Sequence, residues 1–157
     1  TGRQGTCRPE AAQPGHGIRA RIGPFRDHNS PEFAPVMEIF KVFHIGAAHR
    51  LPNLPASHKC SRLHGHSFRV EIHISGEPGA ESGWIMDFAD LKVAFAPVFE
   101  ALDHRYLNEV PGLENPTSEI VARWIWQRLK PTLPNLSKVL IAETCTSGCV
   151  YTGETGE

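Results

Sequence analysis

Nine histidines stand in the 157-residue chain, and two of them, His64 and His66, flank a single glycine. On an extended strand alternate side chains share a face, so both imidazoles would project together about two residues' rise apart, a chelating geometry. His49 lies 15 residues before His64. If the segments that carry them pair as antiparallel neighbours, His49 joins the other two. Three neutral imidazoles leave one position of a tetrahedral metal open, as in catalytic rather than structural zinc. The blander alternative is three unrelated polar residues at strand ends.

Cys60 bears on that choice. It lies four residues before His64, between Lys59 and Arg62, whose positive charge favours a thiolate. Two roles are open to it: fourth ligand of a closed structural zinc, or free thiolate acting as base or nucleophile beside an open metal. A reactive thiol needs a proton partner, and Asp103-His104 offers an imidazole beside a carboxylate; a solvated pair at a helix end is the alternative. Glu143 shares a strand face with Val139 and Ile141, so an inward face would bury its carboxylate. Burial without a partner is costly. A protein cation would satisfy it, as would a ligand edge with two adjacent N–H donors, which a carboxylate accepts in bidentate fashion. A surface glutamate is the other possibility.

The order of elements that must position these groups reads strand, strand, helix, helix, strand, strand. Residues 36–48 alternate and are rich in Val, Ile and Phe. In 66–76, Phe68, Val70, Ile72 and Ile74 fall on one face with Arg69, Glu71 and His73 on the other. A helix begins after Asp87 as its cap, with an apolar stripe of Phe88, Leu91, Phe95, Val98, Phe99 and Leu102 and a kink expected at Pro97. A second opens at Asn115-Pro116, with Asn115 as cap and Pro116 in the first turn, and stops at Pro131. Strands over 138–144 and 149–152 form a hairpin through Ser147-Gly148. The fold class is therefore α+β, with an antiparallel sheet.

With 16 Lys+Arg against 17 Asp+Glu and a formal net charge of −1, the chain lacks the basic excess of a nucleic-acid or membrane-surface binder. It has no apolar run long enough to span a bilayer and no secretory signal, so a cytoplasmic protein is expected. Residues 1–36 are rich in Pro and Gly and poor in larger apolar side chains, which predicts a disordered tail, with Met37 as the expected natural start. Residues 37–157 form the folded domain, small enough that association would add useful burial. Cys145 and Cys149 are expected to be two reduced structural thiols; Cys7 lies in the tail.

Six stretches, Phe43–Leu51, Cys60–Ser67, Trp84–Phe88, Leu102–His104, Asn115–Glu119 and Glu143-Thr144, together resemble the 6-pyruvoyltetrahydropterin synthase superfamily. The resemblance runs in order over residues 37–154. The three-residue spacing between Cys60 and His64 is similar to that of its carboxy-forming, queuosine-pathway branch. It implies a tunnelling fold (T-fold) of ββααββ subunits, two helices on one face of the sheet, joined into a barrel in a trimer-based homo-oligomer, with a hexamer favoured and active sites at subunit interfaces. It implies zinc on His49, His64 and His66, and a catalytic set of Cys60, Asp103 and His104, the last two given by a neighbouring subunit. Glu143 would anchor the pterin, and Thr117 and Ser118 would frame it.

The implied reaction converts 7,8-dihydroneopterin triphosphate to 6-carboxy-5,6,7,8-tetrahydropterin with loss of acetaldehyde and triphosphate. It is an internal redox rearrangement needing no nicotinamide or flavin, in keeping with the lack of a Gly-x-Gly-x-x-Gly fingerprint. Lys59, Arg62, Arg50 and Arg105 are candidates to meet the triphosphate. The alternatives are the pyruvoyl-forming reaction, which releases triphosphate only, and a non-catalytic zinc module closed by Cys60.

Overall fold

Alternation of apolar and polar residues makes two long strands, β1 (Met37–His49) and β2 (His64–Gly76), that pair along their whole length with His49 opposite His64. The computed structural model describes residues 37–153; the expectations for the tail fall outside them. Two helices follow, α1 (Phe88–Leu102) and α2 (Ser118–Leu129), then β3 (Leu136–Thr144) and β4 (Ser147–Tyr151). The sheet is antiparallel throughout, in the order β1-β2-β3-β4. This is the expected α+β architecture of four strands and two helices.

One face of the sheet makes the core. Phe68, Val70, Ile72 and Ile74 of β2, Ile45 of β1 and Val139 and Ile141 of β3 are buried with Leu91, Phe95, Val98 and Leu102 of α1 and Val121, Ile125 and Leu129 of α2. Each such side chain contributes on the order of 1.5–3 kcal/mol. The buried stripe of α1 is narrower than expected, since Phe88 is about half exposed. Asp87 caps α1 by accepting from the Ala89 N–H, as anticipated, and Pro97 sits inside the helix without ending it.

Three local expectations need correction. The cap of α2 is Thr117, whose Oγ1 accepts from the Ile120 N–H, not Asn115. Asn115 is instead engaged in a turn, its carbonyl accepting from the Thr117 N–H, and Pro116 lies outside the helix with its carbonyl given to His49 Nδ1. The β3–β4 turn is Cys145-Thr146, not Ser147-Gly148, since Thr144 already pairs with Ser147. Cys145 is disulfide-bonded rather than reduced, while Cys149 is a free thiol; the exposed turn position leaves the Cys145 sulfur accessible to a partner.

The other sheet face carries a polar ladder. His73 directs Nδ1 at Glu38 (2.8 Å) and Nε2 at Glu71 (3.0 Å), Arg69 pairs with Glu71, and Lys138 and Ser137 donate to Glu38. Burial alone would raise the Glu38 carboxyl, but Lys138, Ser137 and His73 overcome it and hold it at about 2, below its ordinary 4.5. A depressed folded value contributes stability above the unfolded value, and that contribution is lost as pH falls through the folded one. Between pH 4.5 and about 2, Glu38→Gln is therefore expected to lose less stability than the parent chain. Thermal unfolding across that window measures it, and parallel profiles would contradict it.

Candidate active site

The antiparallel register of β1 and β2 does the positioning that the sequence left conditional. His49 sits opposite His64 and Ala47 opposite His66, so the three imidazoles gather at one end of the helix-covered face. Ring centroids are 4.5 Å (His49–His64), 5.1 Å (His64–His66) and 5.2 Å (His49–His66) apart. One ligand nitrogen from each lies within 4.8 Å of the others.

Main-chain carbonyls orient two of the rings. His49 Nδ1 meets the Pro116 carbonyl at 2.9 Å and His64 Nδ1 meets that of Arg62 at 2.8 Å. A carbonyl only accepts, so each Nδ1 carries the proton and each Nε2 keeps its lone pair. His49 is 1% exposed, and its Nε2 is a buried atom with no hydrogen-bond partner. Such an orphan is costly unless something occupies its lone pair. Burial pushes the His49 imidazole below its ordinary value, helped by His64 and His66 and opposed by the Pro116 carbonyl and Glu143, and a neutral ring is the ligating form. The donor set and geometry fit a divalent metal with an open coordination position.

Glu143 stands beside this group, its Oε2 3.9 Å from His66 Nε2 and its Oε1 accepting from Ser118 Oγ at 2.8 Å. It occupies a bulge. Ala142 pairs with Gly148 and Thr144 with Ser147, so Glu143 is the extra residue on β3, and bulges re-aim side chains. Gly148 allows the close approach this requires, because a Cβ there would lie 2.7 Å from the Ile141 carbonyl oxygen. Gly148→Ala is expected to destabilise the fold by about 1–3 kcal/mol; an unchanged urea midpoint would refute this. Thr117 lies next to Ser118 with its hydroxyl committed to capping α2.

Cys60 is a free thiol in a short 3₁₀ turn, Lys59–Ser61, capped by His58, whose Nδ1 accepts from the Cys60 N–H. Its sulfur is not part of the group that can close on a metal, which consists of the three imidazoles. Asp103 ends α1 and grips two partners: Oδ1 accepts from the Gly46 N–H (2.9 Å) and Oδ2 from His104 Nδ1 (2.8 Å). Burial is the largest single influence and acts to raise the Asp103 carboxyl, but the Gly46 N–H and His104 together outweigh it and hold the carboxyl below the usual range. His104 has φ +56°, and its N–H donates to the Gly46 carbonyl. Its side chain is 87% exposed, lining a concavity of about 580 Å³ that also takes in the 46–48 and 65–67 stretches, His66 among them, with Arg105 and Tyr106. Positions 46, 65 and 67 alternate with the three histidines and so face the other side of the sheet. Among the described residues, no hydrogen bond, ion pair or ring contact joins His104 to Cys60 or to the three imidazoles.

The 6-pyruvoyl tetrahydropterin synthase family model matches residues 38–154. The chain belongs to this family. A Synechocystis relative named 6-carboxy-5,6,7,8-tetrahydropterin synthase is 44% identical over 119 residues, covering 72% of this chain and 91% of that protein. A Bacillus subtilis protein of the same name is 34% identical over 131 residues, covering 76% and 87%. The solved Caenorhabditis elegans 6-pyruvoyl tetrahydropterin synthase superposes with a TM-score of 0.70 at 30% identity, covering 76% of this chain and 97% of that one. The fold and the antiparallel four-stranded sheet are thus those of the 6-pyruvoyl tetrahydropterin synthase family. The Pro116 and Arg62 carbonyls escape sequence reasoning because main-chain acceptors leave no residue-type signature, and the Ser118–Glu143 bond escapes it because it joins side chains of separate elements.

Proposed function

We propose that the chain is a zinc-dependent carbon-carbon lyase that converts 7,8-dihydroneopterin triphosphate and one water to 6-carboxy-5,6,7,8-tetrahydropterin, releasing acetaldehyde and triphosphate, in cytoplasmic queuosine biosynthesis. The observation that carries it is the unpartnered, buried Nε2 of His49 aimed among three imidazoles while Cys60 stays free outside them. The names of the Synechocystis and Bacillus relatives support the carboxy-forming branch. Among the described residues no helix is long and apolar enough to cross a membrane.

Zinc held by His49, His64 and His66 would supply Lewis acidity to the substrate's side-chain hydroxyls. The Cys60 thiolate removes or returns a proton at carbon, and His104 Nε2 relays it. Asp103 fixes the relay's tautomer by keeping the proton on His104 Nδ1. Glu143 accepts the pterin's adjacent N–H groups, with Ser118 holding one of its oxygens and Thr117 setting the start of α2 beside it. In keeping with the family resemblance, the working site combines Cys60 and the imidazoles of one chain with the Asp103-His104 pair of another; the exposure of His104 supports this reading. Such a site requires a homo-oligomer, and the family resemblance supports a trimer-based one, a hexamer.

Incubation of zinc-loaded protein with dihydroneopterin triphosphate should release acetaldehyde and triphosphate in equal amounts. Triphosphate without acetaldehyde would transfer the chain to the pyruvoyl-forming reaction; neither product would refute both.

A further inference from the structure

One side chain outside the strands ties together the two segments that meet at His49. Asn108 lies in the 3₁₀ turn Leu107–Glu109. Its Oδ1 accepts from the Arg50 N–H at 2.9 Å, and its Nδ2 donates to the Arg50 carbonyl at 2.9 Å and to the Glu114 carbonyl at 3.1 Å. Both amide hydrogens and the oxygen are therefore engaged. The pair of bonds to Arg50 is what a neighbouring strand would offer. It takes over where main-chain pairing ends, the last such bond running from the Ala48 N–H to the Arg105 carbonyl.

The third bond reaches the segment that orients the metal ligand. Two residues after Glu114, the Pro116 carbonyl meets His49 Nδ1. On the other side of Arg50, the Leu51 N–H donates to the Cys60 carbonyl at 2.8 Å. A single amide thus holds the backbone next to His49 against the loop whose carbonyl sets its ring.

We propose that Asn108 is a positioning residue for the metal site, fixing the spacing between the end of β1 and the Pro116 carbonyl so that His49 Nε2 points into the three-histidine centre. It rests on the three histidines being a metal site, and the test separates the two. Outer partners that orient a ligand typically account for about 10–100-fold in metal affinity. Asn108→Ala removes all three bonds, while Asn108→Asp keeps the shape and the acceptor but cannot donate to either carbonyl.

Zinc affinity is measured on the full-length chain by competition with a chromophoric chelator, with the visible spectrum of the cobalt-substituted protein as a second readout. Both variants are expected to bind zinc about 10–100-fold more weakly and to shift the cobalt bands. Where Asn108→Ala does not fold, the isosteric Asn108→Asp decides. A wild-type chain that binds no zinc overturns the metal site. Wild-type binding with a folded variant within about twofold of it and unchanged cobalt bands overturns the role of Asn108 alone, whatever the melting temperature does.

Discussion

Cys60→Ala is expected to keep its metal and its fold while losing about 10²–10⁴ in turnover, the usual worth of a positioned acid-base group. Retention of metal follows from geometry, because the thiol is not one of the ligands. Retention of the loop follows from its main chain. The Cys60 N–H is held by His58 Nδ1 and the Cys60 carbonyl by Leu51 N–H, and neither bond involves the sulfur. Zinc content per chain, a melting curve and acetaldehyde release measure the three quantities. Loss of zinc together with the fold would instead favour a structural zinc module closed by the thiol.

His104→Ala should be as damaging, at about 10²–10⁴, and it carries the more distinctive consequence. The His104 ring is exposed and has no hydrogen bond to its own chain's Cys60 or imidazoles, as expected of a group that serves a neighbouring chain's site. Two variants each inactive alone, Cys60→Ala and His104→Ala, should therefore restore activity when unfolded together and refolded into mixed oligomers. Random assortment gives about one site in four with both groups intact. A mixture as inactive as its components would show that His104 works with its own chain's thiol, or not at all.

Much of this fold and site is legible in the sequence. Alternation over 66–76 put Phe68 to Ile74 on the core face, and the same count put His64 and His66 together; Asp87 read correctly as a cap because its carboxylate needs only the N–H two residues on. What could not be read depends on contacts between distant segments. Thr117 outcompetes Asn115 as cap of α2 because Asn115 is used in a turn and Pro116 turns its carbonyl to His49. Glu143 was placed on the right face, yet the bulge that aims it is a property of pairing with Gly148 and Ser147. The positive φ of His104 is likewise invisible in sequence, because the bonds to Gly46 sustain it.

Those bonds to Gly46 also shape the border of the sheet. Among the described residues, main-chain pairing on the outward side of β1 occurs at Gly46 and Ala48, where the 103–106 segment lies alongside, and the stretch from Met37 to Ile45 stays open. A strand laid against this border must stop short of Gly46. The segment that presents Asp103 and His104 is therefore also a doorstop, setting how far any added strand can slide along β1.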